Sequence, residues 1–386
     1  MLNLRYNFSS DPDGLSKTRL STAIAVARVL CIFGVVYVHA WTGLDGGRLT
    51  LADSSTQGVF RWVLMELLGR SAVPLLGMIS GWLVAGSASH RTYGAFIGGK
   101  TRTILLPMLL WNLLALLIIS GGAYAEFLKA PIPVSFQEAF NQLLCLTAPN
   151  ETNVQMAFLR DLFVCMMLAP LLVRWPERRL ILLATMTAVW AIFGLLVPLL
   201  LRPAILLFFI AGILARRGGI EMRVASLPFA VTAFPFMLLA SIKIWLSTID
   251  SGFAASHPHV MAGVDLALRF AAALFFWRLA WRIAGSRLAG LFLRVEPYAF
   301  LMFCAHLIMI WLAGPLIGKL TGALGSTFYP PFLLLQPLMT LGATLLLGRA
   351  LMACAPATAT LLSGGRLRQG REDAARQRDS GPMLPV

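Results

Sequence analysis

Charge is scarce in this chain. Of 386 residues only 13% are Asp, Glu, Lys or Arg, against 58% hydrophobic, and the mean hydropathy is +0.77. That leaves too little polar surface to coat a soluble globule, which excludes a water-soluble fold. Paired cysteines are missing too. Cys31, Cys145, Cys165, Cys304 and Cys354 stand singly, without CxxC or Cys/His ligand spacing, so neither a disulfide framework nor a metal site is indicated. The apolar runs are long rather than short and alternating, which argues against an outer-membrane barrel. No small-x-small cleavage site follows the first run, so it reads as a retained helix and not a signal peptide. Acidic residues number 17 against 32 Lys and Arg. The basic residues sit in short loops between apolar runs, so the net charge of +15 reports topology rather than nucleic-acid binding.

What is present is an all-α, polytopic membrane bundle. At ~20 residues per span there are ten candidate helices: 22–42, 59–86, 103–122, 155–174, 179–199, 202–216, 224–247, 261–283, 297–316 and 330–353. Alternate connections are rich in cations. Arg5, Lys17 and Arg19 precede the first run; later clusters are Arg91, Lys100 and Arg102, then Arg174, Arg178 and Arg179, then Arg216, Arg217 and Arg223, then Arg278, Arg282, Arg287 and Arg294. The other connections hold only Arg48, Lys129, Arg202 and Lys319, with Arg61 at a span's edge. The positive-inside rule therefore predicts that both termini are cytoplasmic. The expected organisation is a cytoplasmic segment 1–21, a transmembrane unit 22–353 and a basic, disordered tail 354–386. The long outer connection 123–154, with Pro131, Pro133 and Pro149, is expected to be a re-entrant or cover element over an extracytoplasmic site, or a plain loop.

The chain is organised around Thr22–Thr42, an apolar run that carries both Arg28 and His39. The eleven-residue step is about 1100° on a helix, three turns plus roughly 20°. Both side chains therefore share one face, about 16 Å apart along the axis. A lone histidine near a helix end can be interfacial and an arginine can snorkel, but charge within a membrane helix marks a functional site by default.

Other charges fall inside or beside later runs. Glu66 and Arg70, at i and i+4, form a pair, and Arg70 keeps a donor edge for a ligand. Pro74 is expected to kink the second span, with Gly77, Ser80 and Gly81 bordering a cavity. Lys100 and Arg102, next to Gly98 and Gly99, are expected to hold phosphates at a helix N-terminus. Arg160 and Asp161 are adjacent, so they are not expected to be a simple self-pair. Asp265 and Arg269 form a structural pair, Lys243 lies in the seventh run, and His306 lies mid-span in the ninth with Glu296 near its cytoplasmic end.

These residues carry a family resemblance. Arg28 and His39 in R-x10-H spacing, followed by SAVPLLGMISGWLV from Ser71 to Val84, closely resemble the acyltransferase-3 family of bacterial membrane proteins that O-acylate surface carbohydrates. KTRTILLPMLLWN (100–112), FLRDLFVCMMLAPLL (158–172) and EPYAFLMFCAH (296–306) agree with it. Lys100-Thr101-Arg102 stands where members often have a paired basic motif, and Leu75 and Leu76 where aromatics are common. The resemblance implies a stand-alone ten-helix enzyme of the bacterial inner membrane with no permanently bound cofactor. Acyl-CoA, acetyl or succinyl, would be the co-substrate, and the acceptor a glycan or lipid-linked oligosaccharide. ELLGRSAVPLLGMISGWLVAGS is similar to the exopolysaccharide succinyltransferase type. His39 would be general base, with Arg28 and Arg70 holding the donor or offsetting charge. A covalent acyl-enzyme is the alternative, with His39 or else Ser80 as carrier, and Lys100, Arg102, Arg160, Asp161 and His306 line donor or acceptor. The rival class is a transporter or flippase for a lipid-linked sugar or organic anion, which buried charges and Pro/Gly-broken helices would serve equally. A transporter of this kind often shows an inverted repeat, and none is visible here.

Overall fold

The computed structural model describes residues 12–42, 55–87, 92–147, 150–194, 199–248, 251–368 and 370. Among the topology-setting residues, Arg5, Arg48 and Arg91 lie outside this set, as do the tail beyond Gly370, Pro149, and residues 1–11 of the cytoplasmic segment. All regular structure among the described residues is helical. The helices are α1 (Pro12–Val38), α2 (Thr56–Ala85), α3 (Tyr93–Tyr124), α4 (Phe136–Leu144), α5 (Met156–Leu172), α6 (Glu177–Phe193), α7 (Pro203–Gly218) and α8 (Ile220–Ser226). They continue with α9 (Phe229–Thr248), α10 (Ser251–Ser256), α11 (Pro258–Ala284), α12 (Ala289–Thr321), α13 (Tyr329–Cys354) and α14 (Pro356–Leu362).

Every expected apolar run coincides with a helix. Seven of these are long and apolar enough to cross a membrane: α1, α2, α3, α9, α11, α12 and α13. Helices α5, α6 and α7 have 17, 17 and 16 residues, about 24–26 Å at ~1.5 Å per residue. The sixth and seventh runs are divided differently from the sequence expectation. α7 bends by 82° into α8, because Gly219 adopts φ +59, a conformation that costs glycine little. Residues 224–226 thus close α8, and the next span begins only at Phe229, after Pro228.

α1 is central, packed against α2, α11, α12 and α13. Its contact with α2 is close: a Cβ on Gly69 would stand 2.4 Å from Val38 Cγ2 and 3.0 Å from the Gly34 carbonyl. α2 and α7 approach just as tightly. A Cβ on Gly81 would lie 1.9 Å from the Phe209 carbonyl oxygen, and one on Gly212 2.0 Å from that of Met78. In lipid, small residues are what allow such helix approaches. Gly81→Val is therefore expected to lower the unfolding midpoint in detergent, by about 1–3 kcal/mol of overpacking, whereas Gly94→Ala, where a Cβ meets nothing within 4 Å, should leave it unchanged.

The cationic connections do structural work at one end of the bundle. Arg19 donates to the Trp281 carbonyl and stacks on its indole, with the guanidinium carbon 4.9 Å from the ring centroid. Arg216 does the same at Trp82 (3.3 Å and 4.1 Å). Arg217 donates to the Trp175 and Val173 carbonyls. Each neutralises orphan carbonyls at a helix C-terminus, where a cation is favoured.

The C-terminal expectation needs correction. Residues 356–368 are not a disordered tail: α14 folds back against α3, burying Ala359, Leu362, Ser363 and Leu367. Trp111 Nε1 donates to the Leu362 carbonyl at 3.0 Å. Arg366 stacks on Phe300 at 3.8 Å and donates to the Thr103 carbonyl at 3.3 Å. That carbonyl is four residues before Pro107, which has no N–H to offer it. The basic composition masked a short apolar stretch whose arginine has a specific seat. Truncation after Ala355 should destabilise the detergent-solubilised protein, and truncation after Gly370 should not; size-exclusion profiles after heating read the difference.

Candidate active site

His39 lies just past the end of α1, where its amide donates to the Val36 carbonyl at 3.1 Å, and its side chain is half-buried. α12 brings His306 to it, with ring centroids 5.3 Å apart and the planes inclined by 41°. The sequence placed both histidines in spans but gave no reason to pair them, since 267 residues separate them. His306 is fully buried. Its Nδ1 lies 2.8 Å from the Phe303 carbonyl and 3.2 Å from that of Met302. Carbonyls only accept, so Nδ1 carries the proton and Nε2 is left as an acceptor. That Nε2 is buried with no hydrogen-bond partner among the described residues.

Aromatic and polar groups pack around the histidine pair. Trp41 and Trp311 meet edge-on at 4.5 Å, and Trp311 Nε1 donates to the Thr152 carbonyl at 3.1 Å. Thr152 belongs to the end of the 123–154 connection, which dives into the bundle. Asn150, Thr152, Asn153 and Gln155 are buried there. Asn153 donates to Asn112 Oδ1 at 3.3 Å, and Gln155 to the Cys304 carbonyl at 3.4 Å, two residues before His306. The sequence did not reveal this polar knot; its signal was an asparagine, Asn112, inside an apolar run.

Gly69 of α2 packs against Val38, the residue before His39, which sets the next residue, Arg70, near the level of the histidine. Arg70 sits in a π-helical stretch, Leu64–Arg70, and pairs with Glu66 at 2.9 Å. Glu66 also accepts from Lys243 at 2.6 Å, Lys243 pairs with Asp265, and Asp265 with Arg269. The two expected i, i+4 pairs are thus halves of one network joining α2, α9 and α11 through Lys243. Pro74 has no N–H for the Arg70 carbonyl, and Arg269 donates to that oxygen at 3.4 Å.

Arg202 was read from the sequence only as an outer-loop charge. It precedes α7, and its backbone amide donates to Asp161 Oδ2 at 2.7 Å. Asp161 Oδ1 takes the amide of Leu201 at 3.1 Å and Arg160 Nη1 at 2.7 Å. The expectation that Arg160 and Asp161 are not a self-pair is therefore overturned. The long Arg160 side chain curls around a fully buried carboxylate while also donating to the Leu199 and Leu146 carbonyls. These two residues anchor loops.

The remaining expected residues lie elsewhere. Arg28 is paired with Glu296 at 3.0 Å, three helical turns from His39. Ser80 donates to the Leu76 carbonyl at 2.8 Å. α2 runs opposite to α1 and Gly69 is level with Val38, so Ser80 sits about 16 Å further along and does not meet His39. Lys100 and Arg102 are not at a helix N-terminus: α3 starts at Tyr93 and continues through them, with a π-helical turn at Thr101–Leu105. A Cβ on Gly98 or Gly99 would meet nothing within 4 Å, so no close backbone cradle exists there. Lys100 lies over Phe96 at 5.4 Å and Arg102 is exposed. Among the described residues no group of three His, Cys, Asp or Glu is placed to hold a metal.

Residues 22–348 match the family's acyltransferase domain, and that match places this chain in the acyltransferase-3 family. A succinoglycan biosynthesis protein, ExoH, of Rhizobium meliloti (strain 1021) is 27% identical over 369 residues, which covers 90% of this chain and 93% of that protein. No solved structure matches.

Proposed function

We propose that this protein O-acylates an exopolysaccharide or other cell-surface glycan, moving an acetyl or succinyl group from cytoplasmic acyl-CoA to a sugar hydroxyl, with His39 as general base. The observation that carries this reading is the histidine pair. His39 is half-buried and reachable, while His306 offers it a buried acceptor nitrogen at 5.3 Å between rings. A neutral imidazole can take a hydroxyl proton. As the hydroxyl oxygen bonds to the thioester carbonyl carbon, its proton passes to His39. The C–S bond then breaks, and CoA leaves as the thiol with that proton. Arg70 offsets the negative charge that builds on the carbonyl oxygen.

In this reading the chain has ten spans with both termini cytoplasmic in the inner membrane. Arg102 and Lys100 meet the anionic donor at the cytoplasmic end. Direct transfer is favoured over a Ser80 acyl-enzyme, because the Ser80 hydroxyl is committed to its own helix. Membership of an acyltransferase family also supports a transferase over a flippase. The test is CoA release from acetyl-CoA and succinyl-CoA by the full chain in nanodiscs, with and without acceptor glycan. Acceptor-dependent release supports the reading; no turnover of either thioester overturns it.

A further inference from the structure

The 82° bend between α7 and α8 leaves a recess at the end of the bundle where the cationic connections gather. Trp82 of α2 fixes its depth: it is level with Arg216, whose guanidinium donates to the Trp82 carbonyl at 3.3 Å and lies 4.1 Å from its ring centroid. The lining includes Ile24 of α1, Met78 and Trp82 of α2, Ile220 and Glu221 of α8, and Trp277 of α11. Ile220 is 40% exposed, so this apolar wall continues to the outside of the bundle. Fifteen residues separate Ile24 from His39, about 22 Å along the helix axis, so the recess is not part of the histidine site.

Two lining residues carry polar atoms that the wall leaves unpaired. Trp82 Nε1, a donor, and Glu221 Oε2, an acceptor, are buried with no hydrogen-bond partner among the described residues. The second indole is satisfied, since Trp277 Nε1 donates to the Glu221 carbonyl at 2.9 Å. Glu221 forms no ion pair among the described residues, although Arg216, Arg217 and Arg223 stand within five positions of it. Each unpaired buried group carries an uncompensated desolvation cost, larger for the carboxylate. One guest relieves both if it bears an acceptor and a donor on an apolar body.

We infer that this recess binds a phospholipid with a primary-amine head, phosphatidylethanolamine, from the leaflet at this end of the bundle. The ammonium donates to Glu221 Oε2, a phosphate or ester oxygen accepts from Trp82 Nε1, and the acyl chains leave past Ile220. Charge supports the match. The recess has a carboxylate on one side and, on the other, the Arg216 guanidinium seated on Trp82, which is the pattern of a zwitterion. Indoles suit a boundary where one end of the guest is apolar and the other polar. A choline head has no N–H to give Glu221, and a glycerol head brings a net negative charge towards it. The bound lipid braces the α7–α8 bend against α2 and α11, and its binding is independent of the acyl-transfer reading.

The test uses the full chain, delipidated in detergent, with dioleoyl lipids titrated and binding read by native mass spectrometry and thermal shift. Phosphatidylethanolamine is expected to bind about 10-fold more tightly than phosphatidylcholine or phosphatidylglycerol, the effect of one charge-assisted hydrogen bond. Glu221→Met should erase that preference without lowering the thermal midpoint of the lipid-free protein, because it removes an unpaired buried carboxylate. Trp82→Phe, which keeps a ring under Arg216, should weaken all three lipids by about threefold, since each carries a phosphate. Equal binding of the three lipids by wild type, or a preference that survives Glu221→Met, overturns the inference. Equal binding of glycerophosphoethanolamine, the head without chains, also overturns it, as does displacement of the lipid by acetyl-CoA, whose amides offer the same donor and acceptor.

Discussion

His39→Ala is expected to lower acyl transfer by about 10²–10⁴-fold, the range over which a positioned general base contributes, with the protein still folded. His39 lies beyond the last turn of α1 and is half-buried, so truncation removes no helix hydrogen bond and only its ring contact with His306. His39→Gln should lose as much, because an amide keeps the size but cannot take the proton. His306→Asn should lose less than His39→Ala if His306 orients its neighbour, since the acceptor nitrogen is lost while the base remains. In wild type the rate should fall as pH drops through the range in which His39 gains its proton, because a base must be neutral to act; His39→Gln should lose that limb. An unchanged rate in His39→Ala would show that another group takes the proton.

Glu66→Leu is expected to destabilise the bundle by about 3–5 kcal/mol, the cost of breaking a buried pair by removing one partner. Glu66 is 2% exposed and holds both Arg70 and Lys243. Its loss leaves three cations facing Asp265. Lys243→Met alone should cost less, since Glu66 then keeps Arg70 and Asp265 keeps Arg269. The double variant Glu66→Leu/Lys243→Met should recover part of the loss. Denaturant titration in mixed micelles separates these; equal effects of Glu66→Leu and Lys243→Met would contradict the assigned partners.

What the sequence disclosed and what it hid follow a physical rule. Local relations were legible: the apolar runs that form long helices and the i, i+4 pairs at Glu66 and Asp265 depend on helix periodicity. Relations between distant helices were not. The bond from Arg28 to Glu296, the facing of His39 and His306, and the bridge of Lys243 to Glu66 depend on which helices become neighbours. Arg202 was missed because a loop cation looks like a topology marker until the loop is seen to fold inward. Arg160 was misread because helix geometry governs where side chains start, not where a flexible guanidinium ends.

The pairing of Arg28 with Glu296 has a consequence for biogenesis. The two residues are 268 positions apart, so at ~5–20 residues per second the ribosome reaches the carboxylate roughly 13–54 s after the arginine. During that interval the first helix inserts into lipid with its cation uncompensated, and it is also the helix around which the others assemble. Until α12 emerges, the Arg28 guanidinium depends on snorkelling toward the headgroups or on the insertion machinery for its counter-charge. Slowing synthesis should lengthen that exposed interval, and Arg28→Leu should shorten the dependence on that machinery even as it removes the ion pair from the finished enzyme.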